Sequence, residues 1–179
     1  MSPAGPSRKQ ARRDAVFLLY QTEVTDLPMA DLVRGQKLRE GYAPDDFTVK
    51  AVAGVLRDRQ ALDAELEAHA EGWPLDRMAP LERSVLRLAL WEIRSGGTPP
   101  EVAIDEAVRL AKRYSTDEAG AFVNGVLGGI VGGDEAEAQG GASPDDADEA
   151  QGGTSPDGPD DAAADRREDP GGGEEAGDG

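Results

Sequence analysis

Cysteine is absent from this 179-residue chain, and histidine occurs once, at His69. A disulfide framework and a thiolate metal centre are therefore excluded, and a single imidazole removes most zinc arrangements. Long apolar runs are missing as well. No stretch approaches the roughly 18 apolar residues of a membrane span, and the basic N-terminus lacks a continuous apolar core of the signal-peptide kind, so the cytoplasm is the expected compartment. From residue 132 to 179 there is no Val, Ile, Leu, Met, Phe, Trp or Tyr. A segment of that composition buries too little apolar surface to offset its chain entropy, and 132–179 is expected to be a disordered, Gly/Asp/Glu-rich acidic tail.

The formal charge of -17 divides unevenly across that break. Residues 1–131 carry 17 Lys+Arg against 20 Asp+Glu, a balance of -3, whereas 132–179 carry 2 against 16, a balance of -14. The low overall charge thus describes an appendage more than a folded surface, and nucleic acid is not excluded as a partner.

Within 1–131 the pattern is helical throughout, with no convincing strand alternation. Residues 1–7 read as a flexible N-terminus. A first helix is predicted from near Ser7 to Thr25, with Val16, Leu19, Tyr20 and Val24 at helical spacing and Pro28 beyond its end. A second covers Met29 to Glu40, stopped by Gly41, and carries Leu32, Val33 and Leu38. A third begins after Ala43-Pro44 and continues to about Glu71, with Phe47, Ala51, Val55, Leu62 and Leu66 in one stripe. Pro80 suits the first position of a fourth helix that Ser95-Gly96-Gly97 closes. Thr98 and Glu101 have capping-box spacing ahead of a helix from Val102 to Tyr114, and Ser115 and Glu118 repeat it ahead of Ala119 to Val131. The expected fold is all-α, a bundle of about six or seven helices whose ordered body ends near Val131.

Arg8, Lys9, Arg12 and Arg13 place four cations inside an arc of roughly 140° on the first helix. Cations at a helix N-terminus oppose the macrodipole, so helix stability is a poor reason for having them there. Tyr20 lies in the same arc, and together they suggest a phosphate-binding ridge leading to a ring on which an unpaired base can stack; a solvated helix start with a core tyrosine is the alternative. Asp105 and Glu106 point about 100° apart and do not form an acid–base pair, while Asp105 and Arg109 at i, i+4 suit an ordinary ion pair. No nucleophile–base set or metal cluster is present in the pattern, so neither catalysis nor a cofactor is expected. His69 reads as an exposed side chain. Asn124 and Gly125 weaken an otherwise apolar helix, which suggests that another helix approaches closely there.

Four segments together resemble the NusB family of transcription antitermination factors. They are AlaValPheLeuLeuTyr (15–20) behind the basic helix start, LeuGluArgSerValLeuArgLeuAlaLeuTrpGluIle (81–93), ProGluValAlaIleAspGluAlaValArgLeuAlaLys (100–112) and PheValAsnGlyValLeu (122–127). The resemblance covers nearly all of residues 8–131 in order and spacing. It implies a helical bundle of two three-helix subdomains that binds boxA RNA of ribosomal RNA operons. The partner would be NusE, a small-subunit ribosomal protein, in a complex that helps RNA polymerase read through terminators and supports ribosomal RNA maturation. It further implies RNA contacts at Arg8, Lys9, Arg12, Arg13 and Tyr20, with Arg87 and Lys112 as additional candidates, and partner contacts at Glu82, Tyr114, Glu118 and Phe122. Asp105 and Tyr114 stand where many relatives have Asn and Phe, and the acidic tail lies outside the family pattern.

Two alternatives follow from the same residues. Similar helical domains occur fused to RNA-modifying methyltransferases, but no glycine-rich nucleotide site follows a strand here, so such activity would require a partner chain. A homodimer could instead mask the basic ridge. The ridge assignment predicts that replacing Arg12 and Arg13 by Ala lowers RNA affinity and flattens its salt dependence while leaving helicity intact. The tail reads either as a solubilising appendage or as a competitor of RNA for the ridge.

Overall fold

Six helices account for the secondary structure of the computed structural model, which describes residues 7–41, 43–70 and 72–140; among the described residues there is no strand. They are α1 (Arg8–Thr25), α2 (Met29–Glu40), α3 (Asp46–His69), α4 (Pro80–Arg94), α5 (Pro100–Tyr114) and α6 (Asp117–Gly140), with one 3-10 turn at Leu75–Arg77. Their starts have local chemical causes. The Ser7 hydroxyl accepts from the Gln10 N–H, and the Asp45 carboxylate accepts from the N–H groups of Phe47 and Thr48, so both cap free donors of a first turn. Pro80 occupies the first turn of α4, where its missing N–H costs nothing. Gly41, at φ 66°, closes α2 by donating its N–H to the Lys37 carbonyl.

Both capping boxes differ from the sequence expectation. No side chain caps α5, which starts earlier, at Pro100; the Thr98 hydroxyl donates instead to the Glu92 carboxylate at 2.8 Å. At α6 the cap is Thr116, whose hydroxyl accepts from the Ala119 N–H, while Ser115 donates to Glu82 at 2.8 Å. In each case the expected hydroxyl is oriented by a carboxylate of α4 and caps no first-turn N–H of the helix that follows.

One contiguous core joins the first three helices to the last three. α4 is central, packing on α1, α3, α5 and α6, and buries Val85, Leu86, Leu88, Ala89, Leu90 and Trp91 nearly all round. At about 1.5–3 kcal/mol for each large side chain removed from water, this helix is the main apolar anchor of the fold. α2 is peripheral: it buries no residue fully, packs on α1 through Met29, Leu32 and Val33, and leaves Leu38 82% exposed. Gly54 of α3 is required by contact, since a methyl there would fall inside the Trp91 indole, and a Gly120 methyl would collide with the Lys112 stem. Gly125, by contrast, has nothing within 4 Å of where a Cβ would stand, and Asn124 is exposed, so the close helix approach expected there is made at Gly54 and Gly120 instead.

The last fully buried residue of α6 is Ile130, in line with the composition break, but the helix does not stop there. It continues to Gly140, nine residues past the boundary expected at Val131. Arg94, which also pairs with Glu65, donates to Asp134 at 2.5 Å and ties this extension to α4 and α3. Composition reported the end of burial, whereas the helix continues past Gly132 and Gly133 through the good helix formers Glu135, Ala136, Glu137, Ala138 and Gln139, with one anchoring pair at Asp134. The remainder of the expected tail, 141–179, and residues 1–6 lie outside the described residues.

Candidate functional site

The four cations at the start of α1 do not form one ridge, because each points to a different neighbour. Arg12 is 6% exposed and grips Glu92 of α4 in a bidentate pair, Nε to Oε2 at 2.9 Å and Nη2 to Oε1 at 3.0 Å, with Thr98 completing the carboxylate's partners. Arg8 is exposed and lies over the half-buried ring of Phe47, 4.2 Å from its centroid. Lys9 is exposed and leans toward Glu106 of α5 at 3.6 Å. Arg13 donates to its neighbour Asp14. An arc of 140° on an isolated helix is divided by α3, α4 and α5 packing against it. Arg12 is therefore withdrawn from the solvent-facing set, since its guanidinium is buried and paired through Nε and Nη2 with a buried carboxylate.

Arg87 is withdrawn for the same reason. It is 5% exposed, donates to Asp63 at 2.6 Å and to Glu23 at 2.8 Å, and so joins α4 to α3 and to the end of α1. Burial alone would lower its pKa, but the two carboxylates outweigh that and hold it above the ordinary arginine value. Arg83 completes this network through Glu23 and the carbonyls of Leu75 and Met78. Lys112 is exposed on α5, with its stem against Gly120. Tyr20 is half-buried on α1.

Of the four partner-facing candidates, three meet. Glu82, Glu118 and Phe122 line an open notch of about 380 Å³ together with Trp73, Arg77, Met78, Thr116 and Ala119. Trp73 is 59% exposed and its ring lies 6.2 Å from that of Phe122. Trp73 was not among the candidates read from the sequence; only the fold brings it beside Phe122 and Glu82. Backbone and Thr116 hydrogen bonds hold the exposed Glu118 carboxyl below its ordinary pKa, so it is anionic at neutral pH. The fourth candidate, Tyr114, lies elsewhere: its ring meets Phe17 edge-on at 5.0 Å and carries Arg113 over one face, joining α5 to α1. The notch with Trp73, Phe122 and two carboxylates has the aromatic anchors and charged rim of a protein-binding surface.

Asp105 and Arg109 form the i, i+4 ion pair at 2.9 Å, and His69 is exposed with Nδ1 3.0 Å from the Glu65 carbonyl. Among the described residues no group of three or more His, Cys, Asp or Glu side chains could hold a metal ion, and no helix is long and apolar enough to cross a membrane.

The sequence profile of the NusB family matches residues 9–131. A transcription antitermination protein NusB of Rubrobacter xylanophilus is 46% identical over 124 residues, covering 69% of this chain and 88% of the relative. Its counterpart in Saccharopolyspora erythraea is also 46% identical, over 129 residues, covering 70% and 87%. Among solved structures, a chain in the complex of antitermination factors NusB and NusE with double-stranded RNA superposes with a TM-score of 0.62. It is 28% identical, and the match covers 70% of this chain and 96% of that one.

Proposed function

The chain belongs to the NusB family, and from that premise we propose that it is a transcription antitermination factor that binds boxA RNA of ribosomal RNA operons together with NusE. What carries the reading is the profile match over residues 9–131, which takes in the body from α1 to the buried end of α6. The role is binding without catalysis, in the cytoplasm, within the complex that lets RNA polymerase read through terminators. Arg8, Lys9, Arg13, Tyr20 and Lys112 are assigned to RNA, with cations drawing the phosphates and the ring serving unpaired bases. Arg12 and Arg87 act as positioning residues: the first holds α1 on α4, the second locks α4 to α3. Glu82, Glu118, Phe122 and Trp73 are assigned to NusE. Tyr114 orients α5 against α1.

Two surfaces on one body give the mechanism. RNA and NusE each contribute contacts that the other alone lacks, so a linked complex is tighter than either pair. Titration of a boxA-type RNA into the full chain, with and without NusE and at several salt concentrations, tests it. Binding should tighten with NusE and weaken with salt, with a log–log slope set by the number of phosphates neutralised. Equal affinity for a scrambled RNA, unaffected by NusE, would overturn the assignment.

A further inference from the structure

Next to α1, between the start of α3 and the α4–α5 turn, lies an open notch of about 340 Å³ lined by Arg8, Phe47, Lys50, Ser95, Gly97 and Thr98, with Asp46, Trp91 and Glu92 completing its wall. Its volume falls near the lower end of the roughly 300–1,000 Å³ typical of small-molecule sites. Its charge balance is more favourable to an anion than its composition suggests. Glu92 is already paired with Arg12 and Thr98, so its charge is compensated at the wall of the notch. Arg8 and Lys50 belong to no ion pair among the described residues, and both are exposed. Asp46, exposed in the first turn of α3, is the one acidic side chain of the lining not engaged in such a pair.

The ring of Phe47 lines the same notch and has two guanidinium groups near it. One guanidinium, that of Arg8, lies 4.2 Å from the ring centroid, and the buried Arg12 lies at 6.0 Å. An exposed cation–π contact is weak, so Arg8 can leave the ring for a phosphate, and the uncovered π-face can then receive a base. The hydroxyls of Ser95 and Thr98 already donate to the Glu92 carbonyl and carboxylate; the Thr98 oxygen also accepts from Arg12 Nη2 at 3.5 Å, so the Ser95 oxygen is the more open acceptor for base or ribose donors.

We propose that this notch binds one unpaired nucleotide of the RNA, with Phe47 as the stacking platform and Arg8 and Lys50 on its phosphates. The inference deepens the RNA-binding reading above and rests on it. It moves the principal stacking surface from Tyr20, where the sequence pattern placed it, to a residue on α3 that the sequence pattern used only as core. Base–aromatic stacking is sequence-tolerant, so the notch contributes affinity and register more than base identity.

The test combines protein variants with a scan of single abasic nucleotides through a single-stranded boxA-type RNA. With the unaltered protein, one abasic position should weaken binding by roughly five-fold or more, the smallest effect typical of a lost base stack. In Phe47→Leu the intact RNA should bind that much more weakly, and the penalty at the same position should disappear. Phe47→Tyr, which keeps the π-face, should restore both. A purely structural role for Phe47 would lower affinity without erasing the penalty at one position. Lys50→Gln should reduce the salt slope by about 0.7, one single-strand phosphate contact. If Phe47→Leu binds RNA as tightly as the unaltered protein, or leaves the abasic penalty in place, while Lys9→Ala weakens binding, the notch assignment fails and the RNA-binding reading stands. If the unaltered protein binds no RNA, both fail.

Discussion

Two regions of this protein use charge in opposite ways. At the start of α1 the cation that looks most like a ligand group, Arg12, is buried in a bidentate pair with Glu92, and its neighbours Arg8 and Lys9 remain in solvent. Where the first turns of α4 and α6 meet, the carboxylates Glu82 and Glu118 stay beside Trp73 and Phe122, the first accepting from the Ser115 hydroxyl and the second held by a backbone N–H and the Thr116 hydroxyl. The difference teaches that residues of one charge, a single helical turn apart, divide into buried, paired groups and solvent-facing ones according to what packs against each. Arg8 and Arg12 share a helix face, yet α4 supplies a carboxylate to one of them and not to the other.

The largest expected effect tests the buried half of that comparison. Arg12→Ala leaves the Glu92 carboxylate buried without its main partner and should destabilise the fold by about 3–5 kcal/mol, read as a lowered midpoint in denaturant titration. The double replacement of Arg12 and Arg13 is then no clean probe of RNA contacts, contrary to the expectation from sequence, because any lost affinity would come with lost structure. A melting profile like that of the unaltered chain would return Arg12 to the surface set. Next in size, Trp73→Ala should weaken NusE binding by roughly 2 kcal/mol, the scale of an interface anchor, while the exposed indole contributes little to folding stability. Isothermal titration against NusE together with a thermal melt separates those outcomes, and unchanged NusE affinity would remove Trp73 from the partner face.

The smallest effect concerns the element that carries Phe47. Asp45→Ala should cost about 1 kcal/mol as a lost helix cap. Partial burial pushes the Asp45 carboxyl up, but hydrogen bonds from the Thr48 hydroxyl at 2.6 Å and from the Thr48 and Phe47 N–H groups outweigh it and leave the pKa below its ordinary 3.8. A carboxyl with a lowered folded pKa stabilises above its unfolded value and loses that contribution as pH falls through the folded one. The stability gap between the unaltered protein and Asp45→Ala should therefore be full at neutral pH and close below about pH 4. A gap that persists at pH 2 would assign the effect to packing.

Much of the helical frame was legible because its signals are local. Ser7, Gly41 and Pro80 act on backbone groups within four residues, and the apolar stripe of α3 repeats within a few turns, so α1, α2 and α4 begin or end within about a residue of their expected places. The misplaced features share a different cause. Thr98 has the spacing of a cap, but its hydroxyl goes to Glu92, which α4 carries into reach. Gly125 looked like a contact glycine, whereas the contacts that forbid a side chain are made at Gly54 by Trp91 and at Gly120 by Lys112.

By itself, then, the sequence determined the helical class, the order of the helices and most of their ends, the absence of cysteine chemistry and the family, because composition, periodicity and capping act over a few residues; the nine-residue extension of α6 lay beyond it. Tertiary structure alone decided which cations face solvent, that Tyr114 leaves the Glu82 and Phe122 surface, and that Phe47 meets Arg8 and Lys50 in one notch. Arg12 and Glu92 lie 80 residues apart in the chain. Whether such a pair is buried depends on the packing of α1 against α4, which no local pattern of charges records.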